Sequence, residues 1–191
     1  MKQLKNTNLV FSNKLPWKLY RFFDDDFQRK VLFKKIKPNN TVVSIPFHLK
    51  SDNALLILTN FINKPNQEEI KLIQDLYESH PNMKIMISDN FKDEYTVLNQ
   101  NRVIRINQAE FLVGEPYFEN ILSQMQNFKP SLVIDMENGD GTLKRYFIAK
   151  MDAEIRMTFN LNSDDSIYNV SLNSPKLSSS FLFRFLKLEA R

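Results

Sequence analysis

The sequence predicts a single α/β domain: a Rossmann-like, mainly parallel sheet with helices on both faces, preceded by a basic amphipathic N-terminal helix. First, short apolar runs rich in β-branched residues alternate with longer stretches of helical periodicity between residues 41 and 188. Second, a length of 191 residues suits one ordinary domain. Third, hydrophobic residues make up 42% of the chain, which is enough to fill one core.

The basic helix is predicted over residues 15–37, so residues 1–37 form an arm and residues 38–191 form the α/β domain. Apolar residues recur there at helical spacing: Trp17, Tyr20, Phe23, Phe27 and Val31. The basic residues between and after them are Lys18, Arg21, Arg29, Lys30, Lys34 and Lys35. The arm holds ten Lys and Arg against three Asp, whereas the domain holds sixteen against nineteen Asp and Glu. The net charge of +4 therefore originates in the arm.

The first strand–helix–strand unit follows the arm. The β-branched run 41–45 and the apolar run 54–59 each predict a strand. A helix opens at Pro65 and ends at His80, because a residue that precedes proline avoids the α conformation. The run 84–88 predicts the next strand, and such a unit is typical of a parallel sheet.

The same alternation continues to the C-terminal end. Strands are predicted at 102–106, 132–136, 154–159 and 167–172, and helices at 115–128, 143–151 and 178–188. The inward positions of the helix at 115–128 are predicted to be Tyr117, Ile121, Leu122 and Met125. The strand residues expected to be nearly fully buried are Val43, Ile57, Ile85, Ile104, Val133 and Ile134.

Composition excludes several classes of protein. The chain contains no cysteine, which rules out a disulfide framework, thiol catalysis and cysteine-ligated zinc or iron–sulfur sites. No apolar run approaches the roughly 20 residues that span a bilayer, so we expect no transmembrane segment. The polar start Met1-Lys2-Gln3 lacks the apolar centre of a signal peptide. A cytoplasmic protein is therefore expected, with peripheral attachment to the membrane left open.

An acidic, glycine-containing stretch lies where the strand at 132–136 ends and the next helix begins. Its candidate ligand-binding residues are Asp135, Glu137, Asn138, Gly139, Asp140 and Thr142. In a doubly wound sheet, ligands bind beyond the carboxyl ends of the strands, so this stretch could hold a phosphate or a hard cation such as Mg²⁺. Asn-Gly-Asp-Gly is also what a tight turn before a helix needs, and this simpler interpretation is favoured.

Signatures of catalysis are sparse. The GxGxxG, GxxxxGK(S/T), HExxH and GxSxG motifs are absent, and the chain has three glycines. His48 follows a predicted strand and is a candidate for the ligand-binding crevice, although an ordinary loop histidine is the commoner case. We therefore expect no cofactor and no resident metal, and the chain is interpreted as a binding protein rather than an enzyme.

Residues 127–136 and 146–159 resemble a known family. The strand ending at Asp135-Met136, the helix ending at Ala149–Ala153, and Arg156 with Phe159 resemble the N-terminal half of heptosyltransferase-like glycosyltransferases of the GT-B fold. That family carries an aspartate and a glycine in an acceptor loop, both missing from residues 44–50, and a donor-nucleotide site in a second Rossmann domain. The resemblance therefore implies an inactive half of such an enzyme, without its catalytic second domain.

Three functions remain open from the sequence. The leading hypothesis is a non-catalytic Rossmann-like module that binds a protein partner or a small ligand, at the membrane surface if the arm takes part. An enzyme that processes a nucleotide or sugar through Asp135, Glu137 and Asp140 is the alternative. Nucleic-acid binding through the basic arm is the least favoured of the three, since the positive charge is confined to that arm.

The arm generates a prediction that vesicles can test. If its basic face meets an anionic membrane, the protein should co-sediment with anionic vesicles and hardly with neutral ones, since each interfacial cation contributes about 1 kcal/mol. Reversing Lys30, Lys34 and Lys35 to Glu should abolish co-sedimentation at unchanged thermal stability. Equal binding of the variant and the wild type would contradict a membrane role for these lysines.

Overall fold

The structure, a computed structural model, describes residue 32 and residues 54–136, 141–159 and 167–171. Within these residues, six strands form one parallel sheet in the order β3-β2-β1-β4-β5-β6. The strands are β1 (Leu55–Leu58), β2 (Met83–Ser88), β3 (Val103–Ile106), β4 (Leu132–Asp135), β5 (Ile155–Thr158) and β6 (Val170–Ser171). The predicted fold class, a Rossmann-like parallel sheet, is confirmed.

The register of the sheet brings the ends of β1 and β4 together. Leu58 pairs with Met86 of β2 on one side and with Asp135 of β4 on the other. Asp135 in turn pairs with Thr158 of β5. The chain builds outward from β1 through β2 to β3, then returns to β4 and builds in the opposite direction. The crevice between β1 and β4 is therefore the topological switch point, where open α/β sheets bind their ligands.

The first helix, α1 (Gln67–Ser79), begins and ends close to the predicted residues. Asn66 caps it, because its side chain accepts from the backbone N–H of Glu69 while the Glu69 carboxylate accepts from the N–H of Asn66. Its apolar face is buried against one side of the sheet through Leu72, Ile73, Leu76 and Tyr77. His80 ends the helix, and its backbone N–H donates to the carbonyl of Leu76 at 2.9 Å.

Two 3-10 segments connect β2 to β3, at Asp89–Tyr95 and Gln100–Arg102, and sequence periodicity did not predict them. Side chains of Ser88 and Asn99 cap their first turns by accepting from backbone N–H groups two residues ahead. Tyr95 and Leu98 are buried and pack on the α1 side of the sheet. This connection therefore contributes to the core in place of a longer helix.

The other side of the sheet is covered by α2 (Pro116–Phe128) and α3 (Thr142–Ala149). Ile121, Leu122 and Met125 of α2 are buried, as predicted. Tyr117 also packs against the apolar cluster on this side of the sheet, as predicted, although it is half-buried, and its hydroxyl donates to the carbonyl of Arg105 at 2.9 Å and accepts from a backbone N–H. Phe118, which was not predicted, is the fully buried residue of that turn.

Strand side chains alternate between two apolar clusters, one on each side of the sheet. Ile57, Ile85 and Ile134 lie in the cluster that includes α1, and Val133 lies in the cluster that includes α2 and α3; all four are at most 1% exposed, as predicted. Ile104 is half-buried, contrary to the prediction, because it belongs to β3 at the end of the described sheet order. Val43 lies outside the described residues.

Several predicted elements fall partly or wholly outside the described residues. The strand at 41–45 and the helix at 178–188 do so entirely. From the arm helix, Leu32 is described: it is helical, 4% exposed, and packs in the cluster that includes α2 and α3. The strand predicted at 167–172 is shorter in the structure, where β6 spans Val170–Ser171. No helix among the described segments is long and apolar enough to cross a bilayer.

Tyr95 generates a prediction about alkaline stability. Burial raises the pKa of its hydroxyl above the ordinary value of 10.0, although a hydrogen bond with the Thr59 side chain lowers it in part. Below pH 10 the phenol is neutral in both the folded and the unfolded state. Above pH 10 it ionises more readily in the unfolded state, so the free energy of unfolding falls by up to about 1.4 kcal/mol per pH unit. In urea unfolding between pH 9 and pH 11, Tyr95→Phe should show a smaller loss than the wild type. Equal losses would contradict the raised pKa.

Candidate functional site

Polar side chains are concentrated beyond the carboxyl ends of the central strands. They come from the residues after β1, the last residues of β4 and β5, and the first turn of α3. Each is at most 8% exposed: Thr59, Asn60, Asp135, Thr142, Lys144, Arg145 and Thr158. Because buried polar groups are costly unless they are paired, their partners determine what this region can do.

The centre of the region is an ion pair between α3 and β4. The Lys144 ammonium lies 2.7 Å from Oδ1 of Asp135, and both residues are 3% exposed. Asp135 is the last residue of β4, and its side chain projects to the side of the sheet that α3 covers. Solvent hardly screens an ion pair at this depth. Burying either charge without the other would destabilise the fold.

Lys144 also contacts the residues that follow β1. Its ammonium donates to the carbonyl of Thr59 at 2.7 Å and lies 4.7 Å from the centre of the Phe61 ring. Both contacts suit a desolvated ammonium, which needs several acceptors and is attracted to an aromatic face. One side chain of α3 therefore joins the end of β1 to the end of β4 across the switch point.

The second oxygen of Asp135 is engaged as well. The Tyr168 hydroxyl, from the segment before β6, donates to Oδ2 of Asp135 at 2.5 Å. Tyr168 is 3% exposed, so this charge-assisted hydrogen bond lies inside the protein. The cluster formed by Asp135, Lys144 and Tyr168, here called the switch-point cluster, links β4, α3 and the residues before β6.

The N-terminus of α1, which packs on the opposite side of the sheet from α3, is capped by side chains of its own first turn and of Asn66. Dinucleotide-binding sheets place a pyrophosphate here, against free N–H groups and a glycine-rich turn. In this chain the reciprocal Asn66–Glu69 cap occupies those positions, and Glu68 adds a second carboxylate to the first turn. Asn60 folds the preceding loop, because its Oδ1 accepts from the N–H groups of Ile62 and Asn63. The described residues therefore do not fit a bound pyrophosphate at α1.

Loops at this edge of the sheet are tied to one another. Thr59 Oγ1 donates to the carbonyl of Met86 at 3.1 Å, and the Gln108 amide donates to the carbonyl of Phe61. An ion pair of 2.7 Å joins Lys64 of the β1–α1 loop to Glu94 of the first 3-10 segment. The loops after β1, β2 and β3 are consequently held in one arrangement.

The two large hydrophobic side chains that are exposed in the described part of the chain lie in these same loops. Ile62 follows β1 and is 65% exposed, and Val97 follows the first 3-10 segment and is 66% exposed. They are close in sequence to the ends of the Lys64–Glu94 ion pair. We call these four residues the rim.

The structure locates two of the ligand-binding residues predicted from the sequence. Asp135 and Thr142 lie at the switch point, and Asp135 is paired as described above. The other five predicted residues lie outside the described residues: Glu137, Asn138, Gly139, Asp140 and His48. The predicted arm residues also lie outside them: Trp17, Lys18, Arg21, Arg29, Lys30, Lys34 and Lys35. Across the described segments, no three carboxylate or imidazole side chains converge into a metal-binding group.

Sequence reasoning missed Lys144 and Tyr168, although one of them carried a signal. Lys144 stands three and four residues before Phe147 and Ile148, so helical periodicity places a lysine on the apolar face of α3. A lysine on such a face needs a buried acidic partner, and Asp135 precedes it by nine residues. Tyr168 carried no comparable signal, because its partner is 33 residues away in sequence.

Family models and curated sequences offer no relative of this chain. No protein-family model matches the chain, and no curated protein sequence matches it. The geometry of the described residues is therefore the basis for assigning a function.

The switch-point cluster generates a stability prediction. Lys144→Met would leave the Asp135 carboxylate buried without its counter-charge and should lower the free energy of unfolding by about 3–5 kcal/mol. Adding Asp135→Leu to that variant should recover much of the loss, since the carboxylate that has lost its counter-charge is then removed as well.

Urea unfolding followed by circular dichroism measures both variants. Lys64→Met is the matched control, because it breaks an ion pair in which Lys64 is 70% exposed and should cost less than about 1 kcal/mol. A loss for Lys144→Met no larger than that of the control would contradict the structural role of the cluster.

Proposed function

We propose that the chain is a non-catalytic, Rossmann-like binding module whose rim docks a protein partner. The observation that carries this proposal is the engagement of both carboxylate oxygens of Asp135 by Lys144 and Tyr168. Asp135 stands where doubly wound enzymes commonly place a reacting or ligand-binding group.

A reacting carboxylate must reach its substrate. A general base or a metal ligand needs an oxygen that faces the bound molecule. In this chain one oxygen of Asp135 accepts from an ammonium and the other from a phenol, and all three residues are at most 3% exposed. Freeing an oxygen would break a buried ion pair or a buried hydrogen bond. This arrangement supports a structural role for Asp135 over the alternative role in nucleotide or sugar chemistry.

The rim supports a protein as the ligand. Ile62 and Val97 expose apolar surface in the loops that the Lys64–Glu94 salt bridge joins, and interfaces combine apolar with polar groups. The hydrogen bonds of Thr59 and Gln108 hold the flanking loops in place. A partner would therefore meet a surface that needs little ordering, which lowers the entropic cost of association.

The proposal also includes the resemblance to GT-B glycosyltransferases and the basic N-terminal arm. A single Rossmann-like sheet is compatible with half of a heptosyltransferase-like GT-B enzyme. The basic arm would bring the module to an anionic membrane surface, where its partner would be met.

The proposal is tested with the full-length protein as bait in a lysate of its native host, followed by titration calorimetry with each purified partner. Ile62→Asp combined with Val97→Asp should abolish binding, because two carboxylates would replace the exposed apolar contacts. Ser123→Asp combined with Asn127→Asp is the matched control, since it adds the same charge on the exposed face of α2. The control should bind as the wild type does, and all three proteins should melt at the same temperature.

Two outcomes would contradict the proposal. One is a rim variant that binds each partner with wild-type affinity. The other is hydrolysis or transfer of a nucleotide sugar by the wild type that is lost in Asp135→Asn when that variant is folded. The second outcome would favour the enzymatic alternative.

A further inference from the structure

A second buried cation lies away from the switch-point cluster, on β5. Arg156 projects to the side of the sheet that α3 covers, beside Val133 of β4, and it is 8% exposed. Its backbone is fixed by Asn169, whose side chain accepts from the Arg156 N–H at 2.8 Å and whose N–H donates to the Arg156 carbonyl at 3.1 Å. The backbone of Arg156 is therefore held in place by Asn169.

The guanidinium of Arg156 is only partly paired. Nη2 donates to the carbonyl of Met151, after the end of α3, at 2.5 Å. Nε and Nη1 are buried, and neither has a hydrogen-bond partner in the part of the chain that the structure describes. Asp152 offers an opposite charge nearby, but its side chain is exposed, so water weakens its effect.

Keeping the Arg156 guanidinium buried and partly unpaired costs free energy. Burial lowers the pKa of Arg156, against the opposing charge of Asp152, yet arginine stays protonated in proteins. A buried cation with unpaired N–H groups destabilises a fold, and an apolar residue of similar volume would avoid that cost. A single hydrogen bond to the Met151 carbonyl uses one of the five N–H groups of the guanidinium.

We propose that Arg156 is the anchor of an oxyanion-binding site, occupied by a phosphate, a sulfate or a carboxylate group. An oxyanion supplies the two things that the guanidinium lacks, a negative charge and acceptors for Nε and Nη1. The planar guanidinium matches the oxygens of these groups better than an ammonium would. A buried water molecule would satisfy hydrogen bonds but not the charge.

This site does not depend on the proposed docking function. Arg156 is the second residue of β5 and pairs with the second residue of β4, whereas the rim lies in the loops beyond the carboxyl ends of β1 and β2. Loss of one activity need not affect the other.

The test is the melting temperature of the full-length protein in inorganic phosphate, sulfate or acetate, with chloride added to keep the ionic strength constant. The wild-type melting temperature should rise with the concentration of at least one oxyanion and then level off, because a ligand of the folded state stabilises it by mass action. Arg156→Met should not respond. Arg105→Met, which removes an exposed arginine from β3, should respond as the wild type does.

A second measurement separates a ligand site from a structural arginine. In chloride alone, Arg156→Met should melt no lower than the wild type, since it removes a buried charge that lacks its counterion. Arg156→Gln provides the same comparison if the methionine variant fails to fold. The proposal is overturned if the wild type responds to none of the three anions, if the response persists without Arg156, or if both variants melt far below the wild type in chloride.

Discussion

The ion pair between Lys144 and Asp135 is the interaction on which the centre of this fold depends. Rossmann-like sheets open at the point where the strand order reverses, and the crevice there normally receives a ligand. In this chain the ammonium of Lys144 bridges that point by contacting β4 and the residue after β1 together. Tyr168 extends the bridge to the segment before β6.

The Lys144–Asp135 ion pair lies at the carboxyl edge of the sheet, beside the other groups of this edge. Among the described residues of this edge, the Asp135 carboxylate is paired with Lys144, and the N-terminus of α1 is capped by Asn66 and Glu69. The loops that surround them are tied together and expose Ile62 and Val97. Loops that are tied together and expose apolar side chains would suit the docking of a partner protein, as proposed above.

Most of the fold was predictable from the sequence because it depends on local patterns. The apolar runs of β1, β2 and β4 and the helical spacing of α1 and α2 are properties of neighbouring residues, and their bounds agree closely with the structure. The 3-10 connection was not predicted, since its buried Tyr95 and Leu98 follow no regular period. At the site, the position of Asp135 at the end of a strand was predicted, but its ion pair with Lys144 and its hydrogen bond from Tyr168 were not, because both depend on tertiary contacts.

The most direct test of the central claim is an NMR measurement of the lysine ammonium groups. If Lys144 is enclosed by Asp135 and the Thr59 carbonyl, its ammonium protons should exchange slowly with water and give a sharp signal near neutral pH, unlike those of the exposed Lys64. That signal should disappear in Lys144→Met and broaden in Asp135→Asn. A Lys144 ammonium that exchanges as fast as that of Lys64 would contradict a closed cluster and would leave Asp135 open to a substrate.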